Sequence, residues 1–370
     1  MKTDSASGVR VLMIGPLPPP VGGMATVVGS LASVFDGRDP GLAGVELRLL
    51  NNVKTTAPDR SPMQAVASQV RLLWRLASIC LTWRPQLVHI HTCSRFTFWR
   101  NAIDALLARL LLCPFLLHIH GAQFHRFLGA LSMPQAWLAR RLFGLSSRVI
   151  VLGEGWKQLL DSWAAPRKVV VVPNGVPVQL RVSDLRNGRF RITCLANYEA
   201  RKGQADLIRA VARLKAKNGV RLELFGFEAE PGQCKTLLEL AAELGIAGSV
   251  EAPGPISGPD KDSRLRDAHC FCLPSYNEGL PMSMLEAMAL GLPVVVTRVG
   301  AIPEALVEGV EGLMHDPGDV DALTAHLQTL HDDPARAASI GNAGRERLIH
   351  SFSLERSASL LRALYCEVVR

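Results

Sequence analysis

Two carboxylates eight residues apart, Glu278 and Glu286, lie in the segment Leu273-Pro-Ser-Tyr-Asn-Glu-Gly-Leu-Pro-Met-Ser-Met-Leu-Glu-Ala-Met-Ala-Leu-Gly-Leu-Pro-Val-Val-Val-Thr297. The pattern reads as strand, polar loop, helix, a Gly291-Leu-Pro293 break and a second strand. The helix is expected to begin near Gly279–Pro281, because proline suits a first turn. Its free N–H groups and positive dipole end would then seat a phosphate. A rise of 1.5 Å per residue puts the two carboxylates ~12 Å apart along the axis. Paired carboxylates acting on one bond need ~5–9.5 Å, so this spacing suits holding two ends of an extended ligand. It is equally the spacing of two exposed glutamates, one at the first turn and one mid-helix, and spacing alone leaves both readings open.

A second constellation is the two His-x-His pairs, His89/His91 and His118/His120. At i, i+2 on a strand both imidazoles of a pair face one side and can ligate a metal. No Cys, Asp or Glu follows either pair at ligand spacing, so strand-end histidines with satisfied ring nitrogens is the favoured reading for His89, His91 and His118. The chain shows no Gly-x-Ser-x-Gly elbow, no Walker loop and no Gly-x-Gly-x-x-Gly after its first strand. Hydrolase, P-loop ATPase and dehydrogenase readings lose their support accordingly.

The elements that must position these residues alternate along the chain. Val9–Ile14, Leu87–His91, Phe115–His120, Arg148–Leu152 and Val169–Val172 are apolar strand-like runs, each followed by a turn signal and an amphipathic segment. The rhythm breaks at Val176–Phe190, which reads as a linker. It restarts with Arg191–Leu195, Arg221–Phe225, Ser249–Glu251, Cys270–Leu273, Pro293–Val296 and Gly312–Met314. Apolar runs separated by helices indicate parallel sheets, so the fold class is α/β, with two doubly wound Rossmann-like domains. The expected domains are 1–178 and 179–352, with a closing helix, 353–370, returning to the first. A central cleft at the C-terminal edges of the sheets is the expected ligand site.

Composition sets the outer bounds. The 370 residues favour two domains, and 48% hydrophobic with 20% charged residues excludes a disordered chain, a collagen-like repeat and a coiled coil. The net charge of +8 is uneven: residues 1–180 hold 19 Lys/Arg against 8 Asp/Glu, and the remainder 22 against 25. A positive half beside a nearly neutral one points to an anionic membrane face or an acidic substrate on one domain, not to nucleic acid. The eight cysteines form no CxxC and read as reduced thiols of a cytoplasmic protein. Met1–Arg10 is polar, so no signal peptide is expected. The longest apolar stretch, Ala102–Ile119, is interrupted by Asp104, Arg109 and Pro114 and reads as no transmembrane helix.

With these residues in view, the Glu278…Glu286 pair in its Asn-Glu-Gly-Leu-Pro-Met setting resembles the E-x7-E motif of retaining glycosyltransferases of family 4, which have the GT-B fold. The resemblance runs over nearly the whole chain. Pro16–Met24 (Pro-Leu-Pro-Pro-Pro-Val-Gly-Gly-Met) resembles the family's glycine-rich first loop, and His89-Ile-His-Thr92 and His118-Ile-His-Gly-Ala-Gln-Phe124 its histidine-bearing strand ends. Val172-Pro-Asn-Gly-Val176 is similar to the segment before its hinge and Arg201-Lys-Gly203 to its phosphate-binding loop. Val250…Gly254 and Asp267-Ala-His-Cys-Phe-Cys-Leu-Pro-Ser275 complete the order.

The resemblance implies a role for each matching residue. Glu278 would bond hydroxyls of the donor sugar and Glu286 the ribose of the nucleotide. Lys202 would neutralise the diphosphate. The family often carries an arginine five residues before that lysine, where this chain has Asn197, so one cation facing the leaving group is missing and Arg201 is the available substitute. Gly22 and Gly23 would let the backbone approach phosphate or sugar, where a side chain obstructs. His120 would sit near the anomeric carbon. The implied chemistry is electrostatic: Lys202, Arg201 and the helix start at Gly279–Leu280 stabilise a departing diphosphate, a kind of preorganisation that is often the largest catalytic term. The leaving phosphate oxygen can take the acceptor proton, so no carboxylate base, metal or other cofactor is expected.

The implied reaction moves a hexose-type sugar, with retention, from a UDP- or GDP-sugar to a lipid-linked or saccharide acceptor. The implied setting is bacterial surface polysaccharide, including exopolysaccharide, or glycoconjugate assembly at the inner face of the cell membrane. The basic half fits that setting, since Arg71–Arg84 and Gln135–Phe143 combine Arg, Trp and Leu at helical spacing. Such helices either pack their apolar face on the sheet or lie on an anionic bilayer as a peripheral contact. A nucleotide-sugar epimerase on the same fold and a non-catalytic nucleotide-sugar-binding scaffold, suggested by Asn197, are the alternatives.

Overall fold

The computed structural model describes residues 8–18, 22–35, 42, 44–53, 61–179, 188–216 and 219–370. Residues 19–21 of the glycine-rich loop, residues 1–7 of the N-terminus and 180–187 of the expected linker lie outside the described residues. The chain folds into two compact units, Met1–Gly175 with Leu354–Arg370, and Val176–Ser353.

The first unit runs β1 (Val9–Gly15), α1 (Gly23–Val34), β2 (Val45–Asn51), α2 (Pro62–Thr82), β3 (Leu87–Thr92), α3 (Phe96–Leu110), β4 (Phe115–Ile119), α4 (Phe124–Gly129), α5 (Met133–Leu145), β5 (Arg148–Val151), α6 (Glu154–Leu160) and β6 (Val169–Val171). Its six strands are parallel in the order β2-β1-β3-β4-β5-β6. β3 and β4 are buried along their whole length, as strands covered on both faces must be. α2 opens on a capping box in which Ser61 and Gln64 satisfy each other's backbone N–H groups.

The second unit runs β7 (Phe190–Leu195), α7 (Gln204–Ala212), β8 (Val220–Phe225), α8 (Gln233–Glu243), β9 (Val250–Gly254), α9 (Gly258–Asp267), β10 (Cys270–Leu273), α10 (Met282–Ala289), β11 (Val294–Thr297), α11 (Ile302–Ala305), β12 (Leu313–His315), α12 (Val320–Asp332) and α13 (Pro334–Ser351). Its parallel order is β12-β11-β10-β7-β8-β9. The last helix, α14 (Leu354–Val369), packs on α1, β1 and β3 of the first unit, where Tyr365 is fully buried.

Each sheet has one place where the winding reverses. In the first unit it lies between β1 and β3, and in the second between β7 and β10. At such a reversal neighbouring loops leave in opposite directions and open a crevice at the strand ends, where open α/β sheets bind ligands.

Candidate active site

In the second unit the reversal point brings together the loop after β7 and the loop after β10. Gly203 makes their contact possible. It sits at φ +70°, and a Cβ there would lie 2.1 Å from the Pro274 carbonyl oxygen, so only glycine fits. Next to it, the Tyr276 N–H donates to the Arg201 carbonyl at 2.8 Å. Across this seam the Lys202 ammonium donates to the Glu278 carboxylate at 2.6 Å, with both side chains largely buried.

Glu278 is also fixed from behind. Gly300, at φ +60°, lets its backbone pass under the loop: a Cβ there would meet the Glu278 and Gly279 carbonyl oxygens at 2.1 and 2.5 Å. The Ala301 N–H then donates to the Gly279 carbonyl at 2.8 Å, and the Thr297 hydroxyl to the Ser275 carbonyl at 2.5 Å. Breaking one partner of a buried ion pair costs several kcal/mol, so Glu278 and Lys202 hold each other's direction.

The other expected residues fall around this pair. Arg201 turns its Nε to the Glu199 carboxylate at 2.5 Å and its Nη1 to the Asn277 carbonyl at 3.4 Å. Glu286, on α10, pairs with Lys261 of α9 at 2.8 Å. Asn197 is exposed; its carbonyl accepts from Gln204 at 2.8 Å and its Oδ1 from the Phe227 N–H at 3.4 Å. Beyond Asn197, a hollow of about 860 Å³ opens at the ends of β8 and β9, lined among others by Tyr198, Gly226, Phe227 and Pro255.

One expectation is corrected here. Gly279 and Leu280 precede the helix instead of starting it, because Pro281 is extended (φ −72°, ψ 125°) and α10 begins at Met282. Gly279 thus presents its carbonyl to Ala301 and is part of a loop, not of a helix N-terminus. Three participants escaped the sequence reading. Glu199 lies two residues from Arg201 and was open to discovery as a local partner. Gly300, isolated just past a strand, carried the usual signal of close backbone approach. Lys261, twenty-five residues from Glu286 in a polar helix, carried none.

In the first unit, Gly22 caps α1 in an extended conformation that any residue adopts, and a Cβ on Gly22 or Gly23 would meet nothing within 4 Å among the described residues. The described part of the fold therefore does not require glycine at either position. At the ends of β3 and β4 the four histidines form two bonded pairs. His89 Nε2 meets His118 Nδ1 at 3.2 Å and His91 Nδ1 meets His120 Nε2 at 2.8 Å, while the Tyr365 hydroxyl meets His89 Nδ1 at 2.6 Å. The rings of His89 and His91 stack at 4.4 Å. Burial holds His89 and His120 down to about 3, and holds His91 and His118 well below the usual imidazole range, with neighbouring histidines adding to the effect at His89, His91 and His118. All four are therefore neutral near pH 7.

The expectation of fully satisfied histidines is correct only for His89. His91 Nε2, His118 Nε2 and His120 Nδ1 are buried without a hydrogen-bond partner among the described residues. One ring nitrogen from each of His89, His91 and His118 falls within 4.8 Å of the others. A tetrahedral ion at ~2.1 Å from its ligands needs them roughly 3.4 Å apart, and His89 already spends both nitrogens on Tyr365 and His118. As placed, the cluster is a stack of neutral imidazoles, not a coordination sphere.

Two parallel six-stranded Rossmann-like units make up the GT-B architecture. The comparisons give the family: residues 5–175 match the glycosyl transferase 4-like domain and residues 177–347 match glycosyl transferases group 1. The chain belongs to the glycosyl transferase group 1 family and is a glycosyltransferase. It is 35% identical over 209 residues to MMP alpha-(1->4)-mannosyltransferase of Mycolicibacterium hassiacum, a match covering 56% of this chain and 50% of that protein. It is 25% identical over 406 aligned positions to the glycogen synthase of Mycobacterium tuberculosis, covering 98% of this chain and 95% of that one. Among solved structures, Anabaena Alr3699/HepE in complex with UDP superposes with a TM-score of 0.75 at 17% identity, over 97% and 99% of the two chains. That likeness establishes the fold. No helix among the described residues is long and apolar enough to cross a membrane.

Proposed function

We propose that this chain transfers a hexose-type sugar, with retention, from a UDP- or GDP-sugar to a lipid-linked or saccharide acceptor. The observation that carries the reading is the buried Lys202–Glu278 pair at the reversal between β7 and β10. A cation and a carboxylate locked 2.6 Å apart offer a diphosphate and a sugar hydroxyl their natural partners at one spot. On this reading Lys202 stabilises the leaving diphosphate, Arg201 supports it, Glu278 accepts from sugar hydroxyls, and Glu286 accepts from the ribose with Lys261 steadying it. Gly279 and Leu280 contribute loop backbone. Asn197 leaves the diphosphate one cation fewer than the family pattern, and Gly22, Gly23 and His120 are the first unit's candidates for contact with substrate.

The units divide the labour: 1–178 takes the acceptor, 179–352 the donor, and 353–370 completes the first. The reaction uses no metal. Its setting is surface polysaccharide or glycoconjugate assembly at the cytoplasmic face of the cell membrane, with the basic unit as the peripheral contact. The relatives support sugar transfer, since one is named for mannosyl transfer and one for glycogen synthesis. The test is incubation with UDP- and GDP-sugars, with and without EDTA, and NMR assignment of the product anomer. Retention without metal is the expected result; an inverted product, or a rearranged donor with no transfer, overturns the reading.

A further inference from the structure

The large apolar side chains exposed on the first unit lie almost wholly on three helices. On α2 they are Met63, Val66, Val70, Trp74 and Leu81, at spacings of three, four, four and seven that trace one stripe. On α3 they are Phe96, Ile103, Leu106 and Leu110, with Leu112 just beyond. On α5 they are Met133, Trp137, Leu138 and Leu145. These are not marginal exposures: Trp74 is 70% exposed, Leu110 77% and Met133 89%.

The topology places the three stripes side by side. The steps β2→β3, β3→β4 and β4→β5 all move in one direction across the sheet, whereas β1→β2 moves the other way. Right-handed crossovers therefore put α2, α3 and α5 on one face of the sheet and α1 on the opposite face. α3 packs against both α2 and α5. The inner sides of these helices face the sheet, and their outer sides carry the exposed apolar side chains as neighbouring stripes, a clustering that marks an interaction site.

The charge on these three helices and the segments joining them has one sign. Residues 61–147 contain nine arginines and a single acidic residue, Asp104, which is fully buried. Arg71 and Arg75 flank the α2 stripe and Arg109 the α3 stripe, all exposed. The Arg141 guanidinium lies over the Trp137 ring at 5.2 Å. Two shallow hollows meet at Leu145, one of about 540 Å³ with Trp137, Arg140 and Arg141, the other of about 330 Å³ with Arg109 and Lys168. Apolar side chains for acyl chains and cations for headgroups thus occur on the same face.

We infer that the outer face of α2, α3 and α5 docks this enzyme onto an anionic lipid bilayer. The inference deepens the acceptor reading above by naming the partner surface, and it rests on that reading only for its purpose. The stripes enter the interface, and the arginines meet lipid phosphates, each worth about fivefold in partitioning near such a surface.

The test is flotation of the full chain with phosphatidylcholine vesicles, with and without about 30% phosphatidylglycerol, at low and high salt. Wild type is expected to float with the anionic vesicles and to release at high salt. Arg71→Gln/Arg75→Gln/Arg109→Gln/Arg141→Gln is expected to bind roughly 600-fold more weakly. Val70→Glu/Trp74→Glu should lose binding at unchanged melting temperature, since both side chains are exposed. Failure of wild type to float, or equal binding by the arginine variant, overturns the inference. So does a solution dimer that Val70→Glu/Trp74→Glu dissociates and vesicles do not, because a second copy would then cover the face. Donor hydrolysis in free solution is read in parallel, and both variants should retain it; its absence in wild type counts against the glycosyl-transfer reading instead.

Discussion

Replacing Gly300 by alanine tests how the second unit holds its carboxylate. The added Cβ would stand 2.1 Å from the Glu278 carbonyl oxygen, against a working minimum of 3.0 Å, and the obstructing atoms are backbone. The Glu278–Gly279 loop must then withdraw by about 1 Å, a misplacement that costs on the order of 100-fold in rate at a reacting centre. The positive φ adds roughly 1–2 kcal/mol of strain, which in a domain of this size lowers the melting temperature by roughly 2–8 °C. Gly309 is the control. It has φ +74°, but a Cβ there meets nothing within 4 Å. Gly309→Ala should thus share the strain and leave transfer intact. The assay is kcat/KM for donor turnover beside a thermal melt. A Gly300→Ala enzyme within twofold of wild type would refute the claim that this contact sets Glu278.

If, as proposed, a ligand approaches the open space beside them, Gly22→Ala and Gly23→Ala should behave in the opposite way, with melting temperature unchanged within about a degree but donor turnover reduced roughly tenfold or more. Equal activity in both variants would remove them from the site. For pH, His89 titrates near 3 in the folded unit against about 6.5 unfolded, so the unfolded chain binds more protons between those values. Stability contributed by this group is complete above pH 6.5 and is lost as pH falls through that window, by roughly 2 kcal/mol between pH 7.5 and 5 for His89 alone. Urea unfolding at those two pH values checks it; a flat response would show that the histidines charge while folded.

What could be read from the chain beforehand follows from the range of each interaction. Strands buried on both faces announce themselves as apolar runs, as Cys270–Leu273 does, and among the described strands β2 is the one that the sequence did not mark. The exception, β2, is an edge strand whose residues alternate, Val45-Glu-Leu-Arg-Leu-Leu-Asn51, so it lacks the run that marked the others. Within the site, Glu278, Glu286 and Lys202 carried signals in their local setting. The seam joining Lys202 to Glu278 depends on Gly203 and Pro274, seventy-one residues apart, and nothing local encodes that approach. The orphaned nitrogens of His91, His118 and His120 depend on ring orientations across two strands, which i, i+2 spacing does not specify.

The amphipathic helices of the first unit show the same division. Sequence supplied Arg, Trp and Leu at helical spacing, which fits an apolar side turned either to the sheet or to the outside. The structure shows both at once: Leu76 and Cys80 of α2 are buried while Val70 and Trp74 point outward. A helix apolar on two sides has two partners to satisfy, and the sheet accounts for one of them.

The central claim is that the reversal point of the second unit binds a nucleotide sugar through Lys202, Glu278 and Glu286. The most direct measurement is calorimetric titration of UDP, GDP and their sugars into wild type, Lys202→Gln and Glu286→Ala. The account predicts binding of one nucleotide family by wild type, unaffected by EDTA and weakened at least tenfold in each variant, consistent with loss of one charged hydrogen bond. Binding of equal strength in all three proteins, each still folded at the temperature of the titration, would contradict it.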